Sequence, residues 1–301
     1  MSSIKPCISV VVVGCGFMGR HHARVVASHP ECRLVGVVDV LPERAAALAQ
    51  QWGVPPLVQV PRGVQAAVVA TPTLHHAKVA TPLLRQGVWC LVEKPLAHSC
   101  RAAGALLSPR VMVGHSERFN PVIRAVHPLR PTHIQTRRMG VQKGRSLDVD
   151  VVADVLVHDI DLVCHWVRAP ITALRAKALA TGPHGVDAVS VSLRFASGTT
   201  ATLTASRVAP REERVIGYRD ALGSFVLDLR SLCAWGPQGA LPVPTGDDAL
   251  TAQWNTFVRA VQGGPVPVGA ASALQNLSVV AHIQRALQAR SQGVLRAASG
   301  G

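Results

Sequence analysis

The sequence is poor in aromatic residues, and it has no long apolar run. Phe, Trp and Tyr together make up 4% of the 301 residues, with a single Tyr. RNA-binding surfaces typically combine aromatic with basic side chains, and no segment of this chain interleaves the two. No apolar stretch reaches the roughly 20 residues that a membrane-spanning helix requires. We therefore expect neither a nucleic acid nor a membrane as partner.

Paired cysteines and an export signal are also missing. The seven cysteines are scattered without any Cys-x-x-Cys spacing, which predicts reduced thiols and disfavours a cysteine-based metal site. Residues 1–7 include Lys5 but lack the apolar segment and the cleavage site of a signal peptide. Both observations predict a cytoplasmic protein.

Acidic residues are scarce relative to basic ones. There are 17 Asp and Glu against 31 Lys and Arg, which gives a formal net charge of +14. The basic residues are dispersed, and only Arg137 and Arg138 are adjacent in the sequence. Two interpretations stay open at this point: a basic surface without a specific partner, or a cleft that attracts phosphate groups.

The first 117 residues alternate between strand-like and helix-like segments. The β-branched run at 8–13 is typical of a buried parallel strand. The further predicted strands lie at 34–38, 66–70, 88–92 and 111–113, and the predicted helices at 20–28, 43–51 and 76–86. This alternation predicts a doubly wound parallel sheet, a Rossmann domain over residues 1–117. The short, Pro-rich segment 53–63 is expected to be a loop-like connection.

Residues 118–301 show a different pattern. Strict alternation of apolar and polar residues at 189–193 is typical of a sheet with one exposed face. The predicted strands lie at 132–139, 171–179, 188–195, 199–206 and 224–229, and the predicted helices at 154–167, 249–261 and 272–288. We expect a C-terminal α+β domain with a mostly antiparallel open sheet.

Three glycines, Gly14, Gly16 and Gly19, follow the first predicted strand and open a helix. In that context the G-x-G-x-x-G pattern allows a tight turn and the close approach of a pyrophosphate to the helix N-terminus. Phe17 and Met18, within the same loop, are then expected to border the cofactor. The alternative is a glycine turn that binds no ligand.

An acidic residue, Asp39, ends the second predicted strand, 20 residues after Gly19. A carboxylate at this point binds the ribose hydroxyls of NAD and repels the 2′-phosphate of NADP. The sequence therefore predicts NAD as the cofactor. The alternative is an Asp in an exposed turn at the end of a strand.

Two further polar segments stand where predicted strands end, which is where open α/β sheets bind ligands. One contains Thr71 and Pro72, and the other contains Glu93 and Lys94. A Lys at this point lies near the expected nicotinamide ring and can polarise a reacting hydroxyl or relay its proton. The alternative is a surface Lys that pairs with Glu93.

The predicted helix at 154–167 carries Asp154, His158, Asp159 and Asp161 on an otherwise apolar segment. In an α-helix Asp154 and His158 share one face, and a carboxylate can orient a His that acts as a general base. The alternatives are capping carboxylates beside a buried His, or metal ligation. Further His or Cys at ligand spacing are missing, so we predict no metal.

Together these segments resemble the glucose–fructose oxidoreductase/inositol dehydrogenase (Gfo/Idh/MocA) family over most of the chain. The resemblance depends on the glycine loop, on residues 70–72 with His76, on Glu93-Lys94-Pro95 and on residues 154–161. It implies that Lys94 and His158 flank the substrate carbon that is oxidised, with Asp154 binding the substrate and His158. It also implies cofactor contacts from the 70–72 segment, His76 and Glu93, and a homodimer or homotetramer formed through the C-terminal sheet.

A narrower resemblance concerns residues 114–121, 158–161 and 205–207, which are similar to those of UDP-N-acetylglucosamine 3-dehydrogenases. It implies NAD-dependent oxidation of the sugar 3-hydroxyl to a ketone, ahead of transamination toward a diamino sugar of the lipid A type. Arg118 and Asn120 then join the expected substrate contacts. Two alternatives stay open: a dehydrogenase of a free sugar, inositol or other polyol, and an NAD-binding redox sensor without turnover.

Overall fold

The structure is a computed structural model, and it describes residues 7–126, 130–141, 149–183 and 185–298. Residues 1–6, which belong to the N-terminal segment where we expect no export signal, lie outside these ranges. The chain divides into two compact units. The first comprises Met1–Ser116 and Asp247–Gln275, and the second comprises Glu117–Gly246 and Asn276–Gly301. The assignment of cofactor and substrate binding to residues 1–117 and 118–301 stays a prediction.

The first unit contains a parallel sheet. Its strands, within the described ranges, are β1 (Ile8–Val13), β2 (Cys32–Val38), β3 (Pro56–Leu57), β4 (Ala66–Val69), β5 (Trp89–Glu93) and β6 (Val111–Gly114). They lie in the order β3-β2-β1-β4-β5-β6, and every pair is parallel. The predicted doubly wound sheet is confirmed. The segment 53–63 contributes only the two-residue β3 and no helix, so its loop-like character is confirmed too.

The helices of the first unit follow the sheet topology. They are α1 (Phe17–Ser28), α2 (Pro42–Trp52), α3 (His76–Arg85), α4 (Cys100–Gly104) and α7 (Ala249–Val261). The four consecutive valines of β1 are buried, as expected for a central strand covered on both faces. The strand order reverses between β1 and β4, so the loops after these strands diverge at the carboxyl edge of the sheet.

The second unit is built on a larger, mostly antiparallel sheet. Its strands in the described part of the chain are β7 (His133–Met139), β8 (Ile171–Gly182), β9 (Gly185–Phe195), β10 (Thr200–Ser206), β11 (Glu213–Asp220), β12 (Gly223–Asp228), β13 (Cys233–Gly236) and β14 (Gly239–Leu241). Their order is β14-β13-β12-β11-β7-β10-β9-β8, and only β7 and β10 pair in parallel. The predicted antiparallel open sheet is confirmed.

The remaining helices are α5 (Pro121–Arg124), α6 (Val157–Val167) and α8 (Ala270–Ala298). One face of the large sheet and α6 form a common apolar core, which includes Leu203, Ile216 and Ile160. The predicted helix at 154–167 needs one correction. Its first part, Val152–Leu156, is a π-helix, and regular α-helix begins only at Val157. No helix among the described residues is long and apolar enough to cross a membrane.

A buried charge network fixes α6 to the large sheet. Arg138 on β7 donates to Asp159 on α6 at 2.8 and 3.0 Å and to Glu117 at 2.7 Å. The side chains of all three residues are less than 10% exposed. Burial alone lowers the pKa of Arg138, but Asp159 and Glu117 outweigh it and raise that pKa above its usual value. The guanidinium therefore stays charged, and it neutralises carboxylates that are costly to bury.

We expect Arg138→Met to lower the free energy of unfolding by about 3–5 kcal/mol, because it leaves Asp159 buried without its counter-charge. The matched control is its neighbour Arg137, whose exposed side chain pairs with Glu213 at 2.9 Å. Arg137→Met should change the free energy of unfolding by less than about 1 kcal/mol. Urea unfolding of both variants tests this, and equal losses would contradict the buried network.

Candidate active site

The glycine loop connects β1 to α1, and its three glycines differ in their surroundings. Gly14 has a φ of +97°, and a Cβ there would lie 2.6 Å from the carbonyl group of Ala70. A Cβ on Gly19 would overlap the carbonyl oxygen of Gly14. A Cβ on Gly16, in contrast, would meet no atom within 4 Å. Gly14 and Gly19 are therefore required by the turn itself, whereas Gly16 faces open space.

The open space at Gly16 fits a bound dinucleotide. It lies at the N-terminus of α1, where the backbone N–H groups of the first turn favour a phosphate. Phe17, which is 57% exposed, and the half-buried Met18 form the first turn of this helix. Nearby along the sheet edge, the buried hydroxyl of Thr71 has no hydrogen-bond partner among the described residues. Pro72, exposed, follows it directly. A buried hydroxyl without a hydrogen-bond partner and open space at the helix N-terminus are features expected of a ligand-binding site.

Asp39, just after β2, is tied to the glycine loop. One carboxylate oxygen accepts the backbone N–H of Cys15 at 2.6 Å, and the other accepts that of Leu41 at 2.9 Å. Each oxygen keeps a second lone pair for a ribose hydroxyl. Burial and the Asp39 charge raise the pKa of the Cys15 thiol to about 11, so this cysteine stays protonated and is not a nucleophile near neutral pH.

The segment Glu93-Lys94-Pro95 begins at the last residue of β5, and Lys94 is its half-exposed member. The Glu93 carboxylate is buried and contacts His22 on α1, with Nε2 and Oε1 2.8 Å apart. His76 is buried as well, and its ring lies 3.0 Å from the carbonyl oxygen of Pro95 and 2.9 Å from that of Thr71. The Lys94–Pro95 peptide bond is cis. The structure thus brings together the predicted residues Thr71, His76, Glu93 and Lys94.

On the π-helix and α6, Asp154 and His158 are half-buried, whereas Leu156 and Val157 between them are buried. The Nδ1 atom of His158 is inaccessible to solvent. Asp150 caps the start of this segment by accepting the N–H groups of Val152 and Ala153. Because Val152–Leu156 is a π-helix, the turn between Asp154 and His158 is wider than in the expected α-helix. Single π-helical turns are frequent at functional sites.

Arg118 and Asn120 are engaged in bonds within the second unit. Arg118 donates to both oxygens of Asp161 at 2.6 Å and lies 3.1 Å from Nδ1 of His165. Asn120, which is 7% exposed, donates to the carbonyl oxygen of Leu229 and caps α5. Their predicted contact with substrate stays a prediction. The structure shows that Arg118 connects its own segment to α6 and that Asn120 connects it to Leu229.

Two ion pairs limit how α6 can rotate. At 3.6 residues per turn, Asp159 and Asp161 project to either side of His158. Asp159 is held by Arg138, and Asp161 is held by Arg118. The direction of the His158 side chain is therefore set by buried contacts on both flanks.

Sequence reasoning missed several supporting residues, among them His22, Arg138 and Asp150. Asp150 had a local signal, since an Asp before a helix is a common N-cap. His22 and Arg138 had none, because their partners are distant in sequence. Within the described ranges, no group of three or more His, Cys, Asp or Glu side chains is arranged to hold a metal ion.

A parallel sheet in this strand order, with a glycine loop at the switch point, defines a dinucleotide-binding protein of the Rossmann class. Residues 8–108 match the oxidoreductase family with an NAD-binding Rossmann fold, and residues 131–221 match the GFO/IDH/MocA C-terminal domain. The chain belongs to the GFO/IDH/MocA oxidoreductase family. It is an NAD-dependent oxidoreductase that acts on CH–OH groups.

Three similar proteins have named activities. The chain is 30% identical to the UDP-N-acetylglucosamine 3-dehydrogenase of Acidithiobacillus ferrooxidans, over 83% of this chain and 87% of that one. A solved structure of UDP-N-acetylglucosamine 3-dehydrogenase from that organism has a TM-score of 0.87 at 27% identity, covering 94% of this chain and 98% of the other. An inositol 2-dehydrogenase of Rhizobium meliloti is 28% identical, over 80% and 92% of the two chains.

The contrast between Gly16 and Gly19 makes a prediction. Gly16→Val should keep the melting temperature of the protein but abolish NAD binding, because its side chain occupies the space open to the pyrophosphate. Gly19→Ala should lower the melting temperature, because its Cβ collides with backbone. Calorimetric NAD titration and thermal unfolding separate the two effects. Unchanged NAD affinity in a folded Gly16→Val protein would mean that the loop is structural only.

Proposed function

We propose that this enzyme oxidises the 3-hydroxyl of UDP-N-acetylglucosamine to a ketone with NAD as the oxidant. The observation that carries the proposal is the agreement of sequence and fold with UDP-N-acetylglucosamine 3-dehydrogenase over nearly the full length of both chains. The net charge of +14 supports a substrate with a diphosphate, since a positive surface raises the local concentration of anions.

The chain's own residues supply the cofactor site. Backbone N–H groups at Gly16 and the start of α1 bind the pyrophosphate, and the Asp39 carboxylate accepts hydrogen bonds from the ribose hydroxyls. Thr71 and His76 border the site at the end of β4. Glu93 acts through Lys94, because its own carboxylate is buried against His22.

The reaction removes a proton from the 3-hydroxyl and a hydride from the carbon that carries it. Bound NAD would supply the acceptor for that hydride. His158 takes the hydroxyl proton on Nε2, because its Nδ1 is inaccessible to solvent. Asp154 orients His158 or a neighbouring sugar hydroxyl, and the Lys94 ammonium donates a hydrogen bond to the substrate oxygen as the C–O bond becomes a carbonyl.

The product of this step is a 3-keto sugar, which a transamination reaction can consume in making a diamino sugar of the lipid A type.

We further propose that the enzyme assembles as a homodimer or homotetramer through the outer face of its large sheet. That face is exposed along its strands, for example at Ser192 and Arg194. Its polar residues alternate with the buried Leu193 and Phe195 on the other side.

A second candidate function has its own support. The similarity to inositol 2-dehydrogenase covers most of both chains, so a cyclic polyol is the alternative substrate class. Both candidates use the same hydride chemistry, and they differ in whether a nucleotide diphosphate is required.

The substrate is tested by measuring NADH absorbance with UDP-N-acetylglucosamine, free N-acetylglucosamine, glucose and myo-inositol. We expect kcat/KM for UDP-N-acetylglucosamine to exceed that for every other compound by about a hundredfold or more, because the diphosphate adds binding energy. Faster oxidation of myo-inositol would favour the polyol dehydrogenase. Tight NAD binding with no turnover on any compound would favour a redox sensor.

His158→Ala should lower kcat by about 10²–10⁴-fold, the usual contribution of a general base. The limb of the pH profile that rises as the base deprotonates should vanish with it. NAD affinity should stay unchanged. The control is His282→Ala, an exposed histidine on α8 of the same unit, which should keep full activity. Nearly full activity in His158→Ala would place the base elsewhere.

A further inference from the structure

The chain contains two pairs of adjacent histidines, His21-His22 and His75-His76. In each pair the second histidine is buried: His22 is 0% exposed and His76 is 1% exposed. His75 is exposed, and His21 is half-buried. Both buried rings contact the segment Glu93-Lys94-Pro95, one on each side of Lys94.

On the N-terminal side, His22 holds Glu93. Burial alone would raise the pKa of Glu93, but His22, Lys94 and His76 together hold it below its usual range, so the carboxylate is ionised. An ionised carboxylate only accepts hydrogen bonds, and His22 therefore carries a proton on Nε2. The second oxygen of Glu93 accepts the backbone N–H of Lys94 at 3.2 Å. A Cβ at position 114 would lie 2.8 Å from Oε1 of Glu93, so Gly114 leaves the room that this carboxylate needs.

On the C-terminal side, His76 holds Pro95. Its Nδ1 lies 3.0 Å from the carbonyl oxygen of Pro95, and its Nε2 lies 2.9 Å from that of Thr71. Burial lowers the pKa of His76, so the ring is neutral at neutral pH and donates from one nitrogen at a time. The ring joins the loop after β4 to the loop after β5.

Lys94 is the one residue in 90–97 that is not buried. We propose that His22 and His76 are positioning residues that brace Lys94 from its two sides. α1, which carries His22, begins at the glycine loop, and α3, which carries His76, begins just after Thr71 and Pro72. The brace therefore connects Lys94 to both loops of the proposed dinucleotide site. The expected effect of this brace on turnover rests on the proposed catalytic role of Lys94, whereas the contacts that form the brace do not depend on that role.

The test separates positioning from simple stabilisation. His22→Leu strands a buried carboxylate and is expected to lower the melting temperature. The double variant His22→Leu/Glu93→Leu replaces the pair with apolar side chains, which restores stability but not the hold on Lys94. His22→Gln keeps a donor near the position of Nε2. The matched controls are His21→Gln and His75→Gln.

We expect the double variant to recover its melting temperature, while its kcat stays about a hundredfold below that of the unaltered enzyme, as for a misplaced reacting group. NAD affinity should hold, and His22→Gln and both controls should keep most of kcat. Recovery of kcat together with the melting temperature in the double variant would mean that the pair does not affect turnover, and an unchanged reactivity of Lys94 in the measurement below would then overturn the proposal.

A second measurement uses the protein without substrate. Acetic anhydride acetylates exposed amines, and mass spectrometry gives the rate at Lys94 relative to the exposed Lys78 on α3. The relative rate should rise in the double variant and in His76→Leu, and stay unchanged in the controls. An unchanged rate in both variants would overturn the brace. A raised rate with undiminished kcat would support the brace and overturn the catalytic role of Lys94.

Discussion

A carboxylate that is buried away from water needs hydrogen-bond donors. In this chain the buried carboxylates determine where the proposed functional segments lie. Glu93 is anchored by His22, and the adjacent Lys94 is held with it. Asp159 is anchored by Arg138, and this bond sets the rotation of the helix that carries His158. These acids are among only 17 in the whole chain.

Features with a local signature could be predicted from the sequence. The glycine loop, the valine run of β1 and the Asp at the end of β2 each depend on a few consecutive residues, and the structure places them at the switch point of a parallel sheet. The steric roles of Gly14 and Gly19 follow from the same pattern. Strand β9 could be predicted because residues 189–193 alternate between apolar and polar, and the structure buries the apolar members of this run.

Features that depend on distant partners could not be predicted. His22 and Glu93 are separated by 71 residues, and Arg118 and Asp161 by 43, so no spacing rule connects them. The residues of the π-helix at Val152–Leu156 are equally compatible with an α-helix, so the sequence has no signal that separates the two. Strand β11 escaped notice because charged residues at both ends conceal the alternation of Ile216 and Tyr218, which are its buried positions.

The central claim is that the hydride comes from C3 of a nucleotide sugar. The most direct measurement uses UDP-N-acetylglucosamine that carries deuterium at C3, with mass analysis of the nicotinamide product. The account predicts deuterated NADH, formed more slowly than NADH from the unlabelled sugar. Unlabelled NADH from the C3-deuterated substrate, or no NADH from this sugar beside rapid NADH formation from myo-inositol, would contradict it.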